Sequence, residues 1–298
     1  MTPRTLPFTD LNLAPVILGM MRLCEQPELA NTQALSHWLM QRLEEGFTTF
    51  DHADIYGSNE VERRFGEVLK SQPQLRQQMQ LISKCGIRHQ WQAPSDRVKH
   101  YNNEAGYILD SVDGILQRLG CEQLDLLLLH RPDPLQQPEE VAQAFTQLLQ
   151  QGKVRYFGVS NYLPAQFELL QQALPMPLVT NQIEFSLLAR APLDNGQLSQ
   201  MQLRGITPMY WSPLGGAQLF KQPEHPLLQS LTRMAKELGC TLDAVALAWV
   251  MHHPAAGLPL VGSFKEERLQ GYRQACELRL SRLDWYELWE KAQGEEVA

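Results

Sequence analysis

Four side chains have the types and positions that acid catalysis would need: an aspartate, a tyrosine, a lysine and a histidine. Residues 50–57 have the sequence FDHADIYG, in which Asp51 follows a short apolar run and Tyr56 comes five residues later. An unperturbed tyrosine has a pKa of about 10, and it becomes a useful proton donor when a cation is held beside it. Lys84 and His130 end two later apolar runs. Lys84 is the candidate for that cation, and His130 is the candidate for a further polar partner.

Together these residues predict a general acid directed at a carbonyl oxygen. Lys84 next to Tyr56 would stabilise the phenolate and lower the pKa of the tyrosine, and Asp51 would hold the ammonium in position. His130 could hydrogen-bond the substrate oxygen or the tyrosine hydroxyl. Since no side chain supplies a hydride, a reduction at this site would need a cofactor. The sequence contains no G-x-G-x-x-G, so a Rossmann-type dinucleotide site is not expected.

The spacing of apolar residues predicts a regular alternation of strands and helices that would position these groups. Eight runs are predicted as strands, over residues 15–19, 47–51, 79–84, 124–130, 156–160, 178–183, 206–211 and 258–261. Helical periodicity covers residues 32–45, 60–70, 103–119, 139–151, 165–173, 198–204, 227–238, 242–253, 265–275 and 283–292. Eight strand–helix units predict an α/β fold, a (β/α)8 TIM barrel with a short N-terminal hairpin (residues 6–8 and 11–13) and extra C-terminal helices. Residues 1–298 are expected to form one such domain.

Polar residues fall at or just past the carboxyl ends of the predicted strands: Asp51, Lys84, His130, Ser160, Asn161, Gln182 and Trp211. In a parallel barrel these ends share the face on which barrel enzymes keep their active sites. Each residue alone has a simpler explanation, because lysines after strands are usually solvated and a histidine closing an apolar run is usually a hydrogen-bonded core group. The coincidence of all of them in one register favours a functional site.

The composition limits the partners and the compartment. The 298 residues carry a formal net charge of -7 from scattered acids, which argues against a nucleic-acid partner. Five widely spaced cysteines without a C-x-x-C pair are expected to be reduced thiols of a cytoplasmic protein. The first residues lack the apolar segment of a signal peptide, and no apolar run approaches the roughly 18 residues of a membrane span. Neither secretion nor a membrane partner is expected.

A metal-dependent hydrolase is an alternative, because Asp51, His52 and Asp54 superficially resemble metal ligands. Zinc and manganese sites need three or more converging histidine or carboxylate groups. The other predicted strand ends offer only His130 as a further ligand. The sequence therefore predicts no metal site.

Seven motifs in series resemble the aldo-keto reductase superfamily across nearly the whole chain, and most of all its bacterial YdhF-like oxidoreductases. They are FDHADIYG, ISKCG, LLLLHRPD, FGVSNY, TNQIEFS, WSPLGG and PLVGSFKEER. The resemblance implies an NADP(H)-dependent enzyme that reduces the aldehyde or ketone carbonyl of a small molecule to an alcohol. It implies a catalytic tetrad of Asp51, Tyr56, Lys84 and His130, with Tyr56 as the proton donor. Family members of this size are often monomers, which is the expectation here.

The resemblance also implies that NADP(H) lies extended across the mouth of the barrel. Ser263, Lys265 and Arg268 would meet the adenosine 2′-phosphate, a task suited to a guanidinium group. By the same motifs, Ser160, Asn161 and Gln182 would hold the carboxamide, and Trp211 would stack on the nicotinamide ring. Ser212, Leu214 and Gly215 of the WSPLGG motif would line the pyrophosphate. The full implied set is Ser160, Asn161, Gln182, Trp211, Ser212, Leu214, Gly215, Gly262, Ser263, Lys265 and Arg268.

Two positions in the coenzyme region depart from the family pattern. Gly262 stands where many members have a lysine, and Gly271–Tyr272 stands where many have a glutamate–asparagine pair. The sequence therefore leaves the strength of the NADPH preference over NADH open.

The substrate side is less determined still. Arg22 faces either the cofactor or the substrate, and the role of Arg131, where aldose-reductase-like members have an aromatic residue, is open. Trp91 and Tyr101, on the long loop after Lys84, either supply an apolar wall to the substrate pocket or pack on the barrel rim. Because loops set the substrate and are hard to predict, the physiological carbonyl compound is not identified.

The alternative to an enzyme is a non-catalytic NADP(H)-binding redox sensor or regulatory subunit of the same fold. Such a protein would keep the cofactor residues, and some of that kind keep the tetrad as well. The sequence has no appended interaction segment at either end, which favours the enzyme.

Overall fold

The computed structural model describes residues 1–93, 95–221 and 224–297, and eight parallel strands in these ranges close into a barrel. In chain order the strands are β1 (Ile17–Gly19), β2 (Thr49–Asp51), β3 (Gln80–Cys85), β4 (Leu124–Leu129), β5 (Val154–Ser160), β6 (Leu178–Glu184), β7 (Met209–Trp211) and β8 (Leu258–Val261). Each strand pairs with the next along the chain, and β8 pairs with β1. The predicted (β/α)8 barrel is confirmed.

Ten longer helices surround the barrel in the described part of the chain. They are α1 (Thr32–Glu44), α2 (Glu60–Ser71), α3 (Ala105–Leu119), α4 (Pro138–Gln150), α5 (Pro164–Ala173), α6 (Gln197–Arg204), α7 (Pro226–Leu238), α8 (Leu242–Met251), α9 (Glu266–Ala275) and α10 (Arg282–Gln293). Helices α7 and α10 are additional to the eight strand–helix units, as predicted. None of the helices that the structure describes combines the length and apolar character that a bilayer crossing requires.

The predicted N-terminal hairpin exists, but its first strand is wrong by a few residues. Arg4–Thr5 pairs with Asn12–Leu13 in antiparallel fashion. Leu6 lies in the turn, where its N–H donates to the Leu11 carbonyl at 2.9 Å. Both leucines are buried, and they close the amino-terminal end of the barrel interior together with Leu13, Ile17, Ile82, Leu126, Leu128, Val179, Met209 and Leu258. Apolar side chains therefore fill the amino-terminal end of the barrel, and the space for a site is at the opposite, carboxyl end.

Two other local expectations need correction. Strand β7 begins at Met209 and not at residue 206, because Pro208 has no N–H for a strand ladder. The long segment after Lys84, expected to be loop throughout, contains a second small hairpin of Ile87–Arg88 and His100–Tyr101. This hairpin projects from the carboxyl end of β3 over the barrel mouth.

The extra helix α10 is fastened to the barrel by a tryptophan pair. The indoles of Trp249 and Trp285 stack with their centroids 4.8 Å apart. Each indole N–H donates to the backbone carbonyl of the other residue, at 2.9 and 3.0 Å. The pair joins α8 to α10 at a point where both indoles are almost completely buried.

Helices α2 and α3 approach each other closely at Gly66. A β-carbon added at this position would lie 2.8 Å from the Leu119 carbonyl carbon and closer still to the Arg118 carbonyl oxygen. These are backbone atoms, which cannot move aside as a flexible side chain would. Gly106, also in a helix, has no atom within 4 Å of the same hypothetical β-carbon.

We therefore expect opposite effects from the same substitution at these two glycines. Gly66→Ala should lower the free energy of unfolding by about 2 kcal/mol or more, because the added methyl group overpacks a backbone contact. Gly106→Ala should raise it by about 0.5–1 kcal/mol, because alanine is the better helix former. Urea denaturation followed by circular dichroism measures both, and a Gly66→Ala variant as stable as Gly106→Ala would contradict the proposed helix contact.

Candidate active site

The open end of the barrel brings together side chains from three neighbouring strands. Asp51 is the last residue of β2, Lys84 lies near the end of β3, and His130 follows β4 directly. Because β2 pairs with β3 and β3 with β4, these three residues lie side by side on the rim. Tyr56 begins a short 3₁₀ segment, Tyr56–Asn59, that turns back over the same opening.

The Lys84 ammonium is the centre of this group. It donates hydrogen bonds to Asp51 Oδ2 at 2.6 Å, to the His52 carbonyl at 2.8 Å and to the Tyr56 hydroxyl at 3.1 Å. Lys84 is fully buried, as is Asp51. An ammonium has three protons to donate, and here each is directed at an oxygen. The expected cluster of Asp51, Tyr56 and Lys84 is thus present in the structure.

Burial and charge act against each other on these groups. Burial raises the pKa of Tyr56, and the Lys84 ammonium offsets only part of that increase. Lys84 thus lowers the pKa of the tyrosine, as expected, but burial raises it by more, and the net pKa is raised. Burial lowers the pKa of Lys84, but the Asp51 carboxylate and Tyr56 outweigh burial and raise it overall. Tyr56 is consequently a protonated phenol, and Lys84 a charged ammonium, at neutral pH.

His130 lies beside the tyrosine in its neutral form. Its ring is perpendicular to that of Tyr56, with 6.0 Å between the centroids. Burial, together with the positive charges of Lys84, Arg131 and Lys99, holds the pKa of His130 well below its usual range. Its Nδ1 is buried without a hydrogen-bond partner among the described residues. A neutral imidazole in this position can hydrogen-bond an oxygen without contributing a charge.

On the other side of Asp51, strands β5, β6 and β7 contribute a polar network. The Gln182 amide donates to Asp51 Oδ1 at 2.9 Å, so both carboxylate oxygens of Asp51 are engaged. The Asn161 amide donates to Ser160 Oγ at 2.8 Å, and the Trp211 indole N–H donates to Asn161 Oδ1 at 2.9 Å. Asn161 has a left-handed backbone, with φ of 64°. These bonds fix the orientation of two amides and one indole along the rim.

A cavity of about 700 Å³ extends over both groups. Thirteen of the fifteen predicted site residues line it: Asp51, Tyr56, His130, Ser160, Asn161, Gln182, Trp211, Ser212, Leu214, Gly262, Ser263, Lys265 and Arg268. Lys84 does not line the cavity because it lies behind Asp51 and Tyr56, fully buried. Gly215 is the other exception. The structure thus gathers residues that are far apart in the sequence around one space.

The loop after β7 explains why Gly215 is displaced from the cavity. A β-carbon at Gly215 would lie 2.7 Å from Leu188 Cδ1, whereas one at Gly216 would meet no atom within 4 Å. Gly216 and not Gly215 therefore forms the open wall. Ser212, Gly215, Gly216 and Ala217 all have positive φ, between 49° and 68°. Successive backbone amides in a turn of this kind can form an anion-binding concavity, which fits a pyrophosphate.

At the far end of the cavity, Arg268 is held by partners that the sequence did not reveal. Its guanidinium forms an ion pair with the buried carboxylate of Asp243 at the start of α8. It also lies over the ring of Phe220, 5.1 Å from the centroid. Asp243 is 25 residues away and belongs to another helix, so no local pattern indicates the pairing. Ser263, Lys265 and Arg268 all line the cavity, which gives it a cationic part suited to an anionic group.

The sequence leaves the roles of two arginines, a tyrosine and a tryptophan open, and the structure places three of them at the cavity and one at the surface. Arg22, Arg131 and Tyr101 line the cavity. Trp91 stacks on His89 with 6.1 Å between the centroids, and it is 44% exposed. Trp91 is not among the described residues that line the cavity, so the rim position is the one the structure gives it.

The residues that superficially resemble metal ligands do not converge. Asp51 is engaged by Lys84, and the His52 ring packs edge-on against Phe65 at 4.6 Å, where burial lowers its pKa to about 3. Burial and the nearby Glu62 raise the pKa of Asp54 well above its ordinary value. Among the described residues, no group of three histidine, cysteine or carboxylate side chains is arranged to hold a metal ion.

Comparison with known proteins identifies the relatives of this chain. Residues 15–293 match the model of the Aldo/keto reductase family. A 6-dehydroglucose reductase of Agrobacterium fabrum is 41% identical over 97% of each chain, and the oxidoreductase YdhF of Escherichia coli is 42% identical over 90% of each. The crystal structure of a thermostable aldo-keto reductase bound to the inhibitor epalrestat superposes with a TM-score of 0.83 at 25% identity, covering 98% of this chain and all of that one.

Proposed function

The chain belongs to the aldo/keto reductase family, and from this premise we propose that it reduces aldehyde or ketone carbonyls to alcohols with NADP(H), using Tyr56 as the general acid. The family and its relatives named as oxidoreductases support an oxidoreductase. The observation that carries the finer proposal is the contact of the Tyr56 hydroxyl with the buried Lys84 ammonium at the edge of the cavity.

The proton transfer follows from the contacts of Tyr56. The phenol holds its proton at neutral pH, since the ordinary pKa of a tyrosine is about 10 and burial raises it further. As negative charge develops on the carbonyl oxygen, the phenol can release that proton, and the ammonium 3.1 Å away stabilises the phenolate that remains. Asp51 keeps Lys84 charged and in place through the 2.6 Å bond. The neutral imidazole of His130 is positioned to orient the carbonyl oxygen.

NADP(H) would supply the hydride. The Ser160–Asn161–Gln182 network is the proposed site for the carboxamide, and the Trp211 indole, fixed by its bond to Asn161, is the proposed platform for the nicotinamide ring. The left-handed turn after β7 would receive the pyrophosphate. Lys265 and Arg268 would receive the 2′-phosphate, since a guanidinium pairs well with phosphate oxygens.

The assignment of the 2′-phosphate can be tested by comparing the two coenzymes. Arg268→Ala should weaken NADPH binding by about 2 kcal/mol or more, roughly 30-fold, as for a lost charge-assisted contact. NADH binding should barely change. Because the substitution leaves Asp243 buried without its partner, the double variant Arg268→Ala Asp243→Asn provides the matched form without an unpaired carboxylate. Isothermal titration of both variants measures the affinities, and equal losses for NADPH and NADH would mean that Arg268 only supports the site.

The role of Tyr56 can be tested by removing its hydroxyl group alone. Tyr56→Phe removes the proton donor and keeps the ring, so reduction of an activated aromatic aldehyde should fall at least about a hundredfold. The dissociation constant of NADPH should stay unchanged, because the hydroxyl is not part of the proposed coenzyme site. Tyr286→Phe, on the outer surface of α10, is the control and should reduce the aldehyde at the wild-type rate. If Tyr56→Phe does so too, the tyrosine is not the acid.

The same assay separates the enzyme from the redox sensor. A sensor would bind NADPH tightly and turn over none of a broad panel of aldehydes, ketones and quinones. Coenzyme oxidation that depends on both the carbonyl compound and Tyr56 would decide for the enzyme.

A further inference from the structure

Two cations on the substrate side of the cavity have no role in the proposed chemistry. Lys99 directly precedes the second strand of the small hairpin after β3, at the loop end of that strand, and Arg131 follows His130 directly after β4. Both line the cavity with Tyr56 and His130. Both are close enough to His130 for their charges to lower its pKa. Positive charge therefore surrounds the point at which the carbonyl oxygen would bind.

These cations lie across the barrel from the phosphate-binding end. Lys99 and Arg131 follow β3 and β4, whereas the residues proposed for the coenzyme phosphates follow β7 and β8. In the closed barrel order, β3 and β4 face β7 and β8 across the mouth. The coenzyme phosphates consequently already have Lys265 and Arg268 at their own end, and the second pair of cations is left for a different anion.

The carboxylates of the site do not neutralise this second pair. Among the described residues that line the cavity, Asp51 is the one acid, and it is bound to Lys84 and Gln182. The ion pairs of the cavity are Lys84–Asp51 and Arg268–Asp243, and neither Lys99 nor Arg131 takes part in them. Glu184 is influenced by the Arg131 charge but is exposed and forms no ion pair with it in the described structure.

Hydrogen bonds of a buried asparagine link the chain segments that carry the two cations. Asn103 is almost completely buried, and its amide donates to the Arg131 carbonyl at 3.3 Å and to Gln136 Oε1 at 2.9 Å. It follows the hairpin that carries Lys99 and Tyr101, and the Asn102 N–H ties the base of this hairpin to the Gly86 carbonyl at 3.0 Å. The segments that carry the two cations are thus linked to each other.

The Arg131 guanidinium is also placed close to the chemistry. It lies 5.8 Å from the centroid of the Trp211 ring, the proposed nicotinamide platform, and its charge acts on Tyr56. Since Arg131 and Tyr56 line the same cavity, one small molecule can present an anionic group to Arg131 and a carbonyl to Tyr56. A guanidinium paired with a carboxylate, sulfonate or phosphate gives a charge-assisted, often bidentate contact.

We propose that the substrate is a small aldehyde or ketone that carries an anionic group, a carboxylate, sulfonate or phosphate, bound by Arg131 and Lys99 while the carbonyl oxygen lies at Tyr56 and His130. This inference rests on the proposed function. The anion binds between the two cations without any covalent step, and it fixes the carbonyl carbon relative to the nicotinamide.

The test compares charged and neutral aldehydes of matched size at saturating NADPH. The pairs are succinic semialdehyde with butanal, and glyceraldehyde 3-phosphate with glyceraldehyde, which distinguish a carboxylate from a phosphate. The wild type should have a kcat/KM at least about tenfold higher for the charged member of at least one pair, as expected for one charge-assisted contact. This ratio should fall several-fold when NaCl is raised from about 0.02 M to about 0.3 M, because salt screens the attraction.

Variants assign the preference to the two cations. Lys99→Met Arg131→Met should reduce the charged-to-neutral ratio by at least about tenfold, and Arg131→Lys, which keeps the charge, should retain part of it. Lys236→Met, which removes an equal charge from the outer surface of α7, should leave the ratio unchanged. The NADPH dissociation constant, measured alongside, reports any disturbance of Trp211.

The outcomes are separable. Equal kcat/KM values for charged and neutral aldehydes, or a preference for the neutral polyol glyceraldehyde over both anions, would overturn the anionic substrate and leave the reductase intact. An unchanged ratio in the double variant would overturn the assignment to Arg131 and Lys99. Absence of turnover with all four aldehydes would contradict the proposed function and, with it, this inference.

Discussion

The site depends on a single physical constraint, which is that the Lys84 ammonium is completely removed from water. A buried charge is tolerated only when it is paired and its hydrogen-bonding capacity is used. Here Asp51 supplies the opposite charge, and the His52 carbonyl and the Tyr56 hydroxyl accept the remaining protons. The need to satisfy one cation therefore fixes the carboxylate, a backbone turn and the phenol in a single arrangement.

The barrel makes this arrangement available. Asp51 and Lys84 lie 33 residues apart, and they become neighbours because consecutive parallel strands end on the same rim. Gln182, on the far side of the barrel, donates a hydrogen bond to the second carboxylate oxygen of Asp51. This bond connects the proton-donating side to the proposed carboxamide site. Removal of water from this rim has two consequences. It lowers the pKa of His130, which keeps the imidazole neutral, and raises that of Tyr56, and it strengthens each remaining electrostatic contact.

Strand order and the cluster around Lys84 could be predicted from the sequence, because period, strand ends and residue types are local properties. The net pKa of Tyr56 could not, since it depends on how deeply the phenol is buried and not only on the presence of a cation. Asp243 was missed because its pairing with Arg268 joins two helices without any sequence pattern. Gly216, and not the predicted Gly215, lines the cavity because Leu188, from the loop after β6, packs against Gly215. Lys99 lies in a segment that was expected to be irregular, so its position beside His130 required the hairpin to be seen.

The central claim is that Lys84 acts on the substrate through Tyr56, and a rate cycle of Tyr56→Phe, Lys84→Met and the double variant tests it most directly. Loss of the ammonium leaves Asp51 without its partner, but burial already raises the pKa of that carboxyl, so it should take up a proton and the fold should be kept. With an activated neutral aldehyde and saturating NADPH, we expect the double variant to be no more than a few-fold slower than Tyr56→Phe alone, since residues that act as a unit are not additive. A loss in the double variant equal to the product of the two single losses would mean that Lys84 and Tyr56 act independently, and would contradict the account.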